Sequence, residues 1–341
     1  MPIEYTPGEV EQQLSEPSEA LVASMVQSSG DLLLLGAGGK MGTTLALMAK
    51  KAIQAAGQSR RVLAASRYRN PAVRQTLESA GVHTLAGDLF STEFLDSLPD
   101  ADTVVQMVGH KFGTSGDAGP TWATNAFLPG LLCRRFTQCR LIAFSTGNVY
   151  PLVPIASGGS IESDPLAPVG EYAMSALARE RIIHHFTTAM NIPTVLLRLN
   201  YSTELRYGVL IDLARQVISG SPVSLSMGYF NCIWQRDACD LALRSLPHAS
   251  NPPRVFNLTG RETLSVRAVA TAMGELLGIR PEFVGEEAPT ALLSNSHRTC
   301  ECLGDPQTNT DAMIRHTCEW LRNGYPTWDK PTHFETRDGK F

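Results

Sequence analysis

No stretch of this 341-residue chain keeps an apolar run long enough to span a membrane. Basic residues are not in excess: 29 Lys and Arg against 33 Asp and Glu give a net charge of −4, so no broad positive surface exists to displace counterions from nucleic acid. Paired cysteines are missing too. Seven cysteines at irregular spacing describe reduced, mostly buried thiols rather than a disulfide scaffold. His297, Cys300 and Cys302 cluster, but no second ligand pair follows to complete a four-ligand zinc site, and no metal is expected. The opening MPIEYTPGEVEQQLSEPSEA is acidic and polar, unlike a secretory or organellar leader, so a cytoplasmic protein is expected. Neither an internal repeat nor a low-complexity segment occurs. What remains is a globular composition, with 43% hydrophobic and 18% charged residues, and a length that buries a large core.

Short apolar runs alternate with helical patterns through the first two thirds of the chain. DLLLLGAGG, RRVLAASR, VHTLAGD, DTVVQMVG, RLIAFST and PTVLLRLN read as six strands. Such alternation builds a parallel sheet covered on both faces. Residues 1–17 are broken by Pro7, Gly8 and Pro17 and read as loosely ordered; Ser18 then caps a short helix. After Asn200 the rhythm changes, and VFNLTG and SVRAVATAMGELLG are assigned to a smaller lobe. The expected layout is an N-terminal extension over 1–29, a sheet domain over 30–200, a substrate lobe over 201–325 that is partly interleaved with it, and a polar, Pro-interrupted tail over 326–341 that straps the surface.

Gly36, Gly39 and Gly42 stand between the first strand and its helix. Glycines at this spacing permit a tight turn, a close backbone approach to a pyrophosphate and tight helix–sheet packing, while the helix N-terminus offers unpaired N–H groups to the phosphates. Lys40 and Met41 open that helix and join the candidate cofactor set. The fold class is therefore α/β, a doubly wound parallel sheet of the Rossmann type with a smaller C-terminal α/β lobe. The second strand ends in Ser66 and Arg67, with Arg69 close by, where an NAD site usually carries an acid. A hydroxyl and a guanidinium suit a 2′-phosphate, so NADP is preferred and NAD is possible. Asp88 and Leu89 follow the third strand, at the expected adenine edge. Val108 and Gly109 follow the fourth, at the expected nicotinamide end.

GAGGKMG, AGDL, FSTGNVYP, EYAMSALARERI, VLLRLNY and RDACDLAL together resemble the extended short-chain dehydrogenase/reductase family, the NAD-dependent epimerase/dehydratase group. The resemblance runs from about residue 30 to 325. It implies that Thr146, with Ser145 and Asn148 beside it, holds the reacting oxygen, that Tyr172 is the acid/base, and that Asn200 contacts substrate. It also implies a homodimer through the helices that follow the fourth and fifth strands. In that family a lysine four residues after the tyrosine lowers its pKa, which is otherwise near 10; here the position is Ala176.

Three readings of that gap stay open: Lys111 after the fourth strand substitutes, Tyr172 works slowly without a lysine, aided only by oxidised cofactor, or catalysis is lost. Arg179 and Arg181 lie further along the helix and read as solvated. The family's usual diphosphate-gripping arginine falls at Phe230–Asn231, which favours a smaller polyhydroxylated substrate over a sugar nucleotide; Arg206 and Arg298 remain candidate anion contacts. Trp122, Trp234 and Trp320 are pocket or core residues. The expected function is NAD(P)-dependent oxidation, reduction or epimerisation of a sugar-like small molecule, the alternative being a catalytically impaired dinucleotide-binding sensor or regulator.

Overall fold

Seven short strands line up in one parallel sheet in the computed structural model, which describes residues 5–111 and 116–340. The outermost ends of the expected N-terminal extension and tail lie outside those residues. The strands are β1 (Leu32–Leu35), β2 (Val62–Ser66), β3 (His83–Ala86), β4 (Thr103–Gln106), β5 (Arg140–Thr146), β6 (Thr194–Leu199) and β7 (Arg254–Leu258). Their spatial order is β7-β6-β5-β4-β1-β2-β3, with every pairing parallel. The order reverses between β1 and β4, and the crevice at the carboxyl ends of those strands is where such a sheet binds ligands.

The all-apolar β1, Leu32 to Leu35, is fully buried because helices cover both faces. On one face pack the helices Lys40–Ala55, Glu19–Val26 and Gln235–Arg244; on the other, Leu128–Arg135 and Glu171–Ala189. Ser18 caps its helix, its hydroxyl accepting from Leu21 N at 3.1 Å. A second core fills the smaller lobe, between helices Val209–Ser219, Val266–Leu277 and Thr310–Arg322, and it contains Trp234 and Trp320.

Three parts differ from the sequence reading. VFNLTG does not stay in the small lobe: β7 pairs with β6 and completes the large sheet as its edge. Residues 10–14 are helical rather than loose. Val10 and Leu14 are buried, and Glu11 reaches Thr44 of the glycine-turn helix and Arg206 of the lobe, at 2.8 Å for the latter. Arg206 is thereby spent on Glu11 and Glu204 rather than left as an anion contact. None of the helices among the described residues is long and apolar enough to cross a membrane.

Candidate active site

The turn after β1 is built so tightly that side chains cannot enter it. A Cβ on Gly42 would lie 2.7 Å from both Ala37 Cα and Gly36 O, backbone atoms that cannot step aside. Gly36 has φ +94°, and a Cβ there would meet Val108 of the neighbouring strand end at 3.0 Å. Gly39 precedes the sixteen-residue helix Lys40–Ala55, and no side chain caps that helix start. A cradle stripped of Cβ atoms, ending at an uncapped helix N-terminus, fits a dinucleotide pyrophosphate. Lys40 stands at the same helix start, its Nζ 3.0 Å from the centre of the Tyr207 ring. Burial, helped by the like charges of Lys330 and Lys111, pulls Lys40 down to about 7.

Ser66 lies across from the turn: its Oγ is 2.6 Å from where a Cβ on Gly38 would stand. Arg67 and Arg69 are exposed on either side of Tyr68, which is buried and donates to Ala64 O at 2.6 Å. Asp88 is exposed and accepts from Phe90 N, whereas Leu89 is buried. All these residues, with Met41 in the first helical turn, Val108, Gly109, Thr146 and Asn200, lie at the carboxyl edge of the sheet.

Thr146 ends β5. Its hydroxyl donates to Asn148 Oδ1 at 2.9 Å and accepts from Asn148 N at 3.2 Å, so the pair caps the turn that follows. Ser145 points the other way, donating to Glu180 Oε1 at 2.5 Å. Asn200 is buried, with its Nδ2 on Asn231 Oδ1 at 2.8 Å; Asn231 in turn donates to Ser294 O at 2.9 Å. The register at which the resemblance places a diphosphate arginine is thus occupied by a buried amide engaged with its neighbours.

Tyr172 sits in the first turn of the helix Glu171–Ala189, with Lys111 Nζ 6.0 Å from its ring centre. Lys111 also donates to Thr332 O at 3.3 Å, and burial lowers it to about 8 against the opposing charges of Asp212 and Glu335. Ala176 is fully buried in an apolar cluster with Val149 and Tyr150.

Arg179 corrects the sequence reading. It is only 5% exposed, not solvated. Its guanidinium donates to Asn125 Oδ1 (2.5 Å), Asn125 O (3.3 Å) and Phe144 O (3.0 Å), all oxygens of neutral groups. Burial lowers its pKa, with Tyr172 and Glu180 acting in the opposite direction. Arg181 is exposed, as expected.

Asn125 lies in a π-helical turn, Ala123–Phe127. Pro129 has no N–H to give to the Asn125 carbonyl four residues back, and the helix widens there instead. The amide of Asn125 joins several parts of the site: its Nδ2 donates to His110 O and Ser175 Oγ, and its Oδ1 accepts from His110 N. Sequence reasoning missed this hub, although an asparagine four residues before a proline inside a helical pattern is a local signal for it.

The polar tail does not strap an indifferent surface. Thr332 donates twice to Asp212, Phe334 is buried against Phe230, and Arg337 reaches Ser226 O and Thr290. Gly339 meets Gly170 backbone to backbone, two residues before Tyr172, and both need positive φ there (+73° and +85°). Residues 326–340 therefore cross from the small lobe, past Lys111, to the start of the Tyr172 helix.

Comparison with known proteins agrees with this geometry. The model of the NAD dependent epimerase/dehydratase family matches residues 32–258. Among solved structures, UDP-glucuronic acid 4-epimerase from Bacillus cereus, in complex with UDP-glucuronic acid and NAD, superposes with a TM-score of 0.72 at 17% identity, covering 86% of this chain and 100% of that one. UDP-glucose 4-epimerase from Thermotoga maritima with UDP-glucose gives 0.69 at 16%, covering 86% and 99%. A short-chain dehydrogenase/reductase superfamily protein from Agrobacterium tumefaciens with bound NAD gives 0.69 at 17%, covering 86% and 97%. No curated protein matches the sequence. With its parallel sheet in the order above, its glycine cradle and a family match over two thirds of its length, the chain belongs to the NAD dependent epimerase/dehydratase family of enzymes.

Proposed function

We propose that this chain is an NADP-preferring oxidoreductase or epimerase acting on a small polyhydroxylated substrate such as a sugar, sugar acid or lactone. The observation that carries the reading is the presence of Thr146 and Tyr172 beside the glycine cradle, on the carboxyl edge of one sheet. Thr146 holds the reacting hydroxyl or carbonyl oxygen. Tyr172 takes the proton from that oxygen or returns it. Lys111, 6.0 Å from the Tyr172 ring, adds positive charge from the other side. Gly36, Gly39, Lys40, Met41 and Gly42 hold the pyrophosphate, Ser66 and Arg67 the 2′-phosphate, Asp88 and Leu89 the adenine edge, and Val108 and Gly109 the nicotinamide end. Asn148 positions Thr146, Ser145 ties the strand end to Glu180, and Asn200 faces the substrate. The bound nicotinamide supplies the hydride acceptor or donor. The solved relatives named above carry NAD, UDP-glucuronic acid or UDP-glucose. Here Asn231, at the register of the family's diphosphate arginine, is engaged with Asn200 and Ser294, which supports a substrate without a nucleotide handle. Phe127 (60% exposed), Met174 (38%) and Trp122 (37%) lie on the two helices that would form a homodimer.

Assayed with NADP+ or NADPH against a panel of aldoses, sugar acids and lactones, the protein should change the nicotinamide absorbance. No response from any member, with cofactor shown to bind, would favour the regulator reading, to which the fully buried alanine at 176 already lends some support.

Lys40 gives a prediction about protons. Its ordinary pKa is pulled down to about 7, so at pH 8 it is mostly neutral without ligand. A pyrophosphate favours its charged form. Binding at pH 8 should therefore take up close to one proton, and affinity should be flat below pH 7 and fall as pH rises above it. Calorimetry in buffers of different ionisation enthalpy measures the uptake, and Lys40→Met should remove it. Uptake that survives Lys40→Met places the proton elsewhere. The same titrations with NADP and NAD test the preference assigned to Ser66 and Arg67; equal affinities would refute it.

A further inference from the structure

We propose that residues 326–340 are a strap that gates the dinucleotide site: fixed to the small lobe, latched to the sheet domain where Gly339 meets Gly170, and parted there whenever a cofactor enters or leaves. The inference rests on the reading of the sheet's carboxyl edge as the dinucleotide site. The course of the strap follows that edge. Trp328 lies 4.6 Å from the Arg206 guanidinium and 6.3 Å from the Tyr207 ring. The same Tyr207 ring carries Lys40 Nζ of the glycine turn, 3.0 Å from its centre. Further on, Thr332 O accepts from Lys111 Nζ at 3.3 Å. The stretch 328–332 therefore runs from the pyrophosphate end of the edge to the expected nicotinamide end.

The strap is held unequally on its two sides. On the lobe, Thr332 N and Oγ1 both donate to Asp212 Oδ2, at 2.7 and 2.6 Å, and Phe334 is 2% exposed beside Phe230. Arg337 donates to Ser226 O at 3.1 Å and Thr290 O at 2.8 Å. The holds on the sheet domain are weaker: the Lys111 bond and the meeting of Gly339 with Gly170, which no backbone hydrogen bond reinforces among the described residues. That meeting is steric. A Cβ on Gly339 would press on Val169 O and stand 2.8 Å from Gly170 N; one on Gly170 would stand 2.8 Å from Gly339 Cα. Each glycine leaves room for the other. Along the strap there is no helix or strand, and among the described residues its backbone N–H groups reach other backbone only from Trp328 and Thr336. The backbone turns left-handed at Asp329 (φ +47°) and His333 (φ +55°), on either side of the stretch at Lys111, a conformation unfavourable for residues with a side chain. Sparse hydrogen bonding and unfavourable torsions mark a segment that opens locally, without the domain unfolding.

The latch touches no residue of the glycine cradle, so its balance between shut and open is the same with and without cofactor. Such a gate changes the rate of passage in both directions and leaves affinity alone. Gly339→Val disfavours the latched state, by its left-handed backbone and by the clash with Val169. Stopped-flow mixing of the whole protein with NADPH, followed by the cofactor's fluorescence, gives the association rate, and a chase with excess NADP+ gives the dissociation rate. Both should rise together by about tenfold, the factor that a side chain held left-handed is worth, with the dissociation constant within about twofold of the wild type. Arg337→Met, which loosens the strap beside the latch without a clash, should raise both rates less. Amide exchange of the 326–340 peptide in the ligand-free protein should quicken in Gly339→Val. Unchanged rates overturn the proposal either way: with faster exchange the strap is no gate, and without it Gly339 is no latch. A rise in dissociation alone, with affinity lost in step, makes the strap part of the binding surface and overturns the gate as well. If Gly339→Val does not fold, Arg337→Met decides by the same two rates. The cofactor reading fails separately. Wild-type binding with unmoved variant rates leaves it standing and sinks the strap. If the wild type binds neither NADPH nor NADH, binding to Gly339→Val supports the strap, and binding to neither form overturns both.

Discussion

Tyr172→Phe should lower turnover by about two to four orders of magnitude, the usual worth of a positioned acid/base group, while the cofactor dissociation constant stays where it was. The substitution removes one oxygen. It leaves the ring that lies 6.0 Å from Lys111 Nζ, and the Ser175 bond to the Tyr172 carbonyl is untouched. The glycine cradle belongs to a different strand and helix. The measurement is a pair: the rate of nicotinamide absorbance change with an active substrate, and cofactor binding by calorimetry. Loss of both would mean that the ring, not the hydroxyl, holds the site together. Loss of neither would remove Tyr172 from the chemistry.

A second large effect concerns the frame behind the site. Glu180 and Arg198 form a bidentate pair with both side chains 5% exposed. The pair extends outward: Ser145 donates to Glu180, and Arg198 donates to Tyr150 OH at 2.6 Å, which donates to Asn257 Oδ1 at 2.8 Å. One network thus ties β5, β6 and β7 to the Tyr172 helix. Glu180→Gln keeps the shape and leaves the guanidinium uncompensated. It should cost about 3–5 kcal/mol, as does breaking buried ion pairs elsewhere, read from the shift of a urea unfolding transition. Replacing both partners by apolar residues of similar volume should recover much of the loss. A cost below about 1 kcal/mol for Glu180→Gln would show that water reaches Arg198, because exposed pairs are worth that little.

How much of this was legible follows from how local each signal is. LLLLGAGGKMG announces strand, turn and helix within eleven residues, and β2 to β6 are equally self-contained. Ser66, Arg67, Asp88, Val108 and Thr146 follow because strand ends share one edge of a parallel sheet. β7 was visible as a strand, but nothing in RVFNL says which sheet it joins; that depends on pairing with β6, more than fifty residues earlier. Arg179 was misread because a charge on a helix is usually solvated, and the atoms that bury it, on Asn125 and Phe144, are far away in sequence. The tail was illegible for the same reason. Its anchors are single residues, Thr332, Phe334 and Arg337, whose partners lie about 50 to 120 positions earlier.

The tail also bears on what kind of reaction leaves the protein. Residues 326–340 run from the small lobe past Lys111 to Gly170 at the start of the Tyr172 helix, so in the reaction proposed above the fate of a half-reacted molecule turns on whether that segment stays in place. An oxidised substrate held until it is reduced again on its other side departs as an epimer. One released sooner departs as the oxidised product. The difference between an epimerase and a dehydrogenase is then a comparison of two rates, the return of the hydrogen and the opening of the tail.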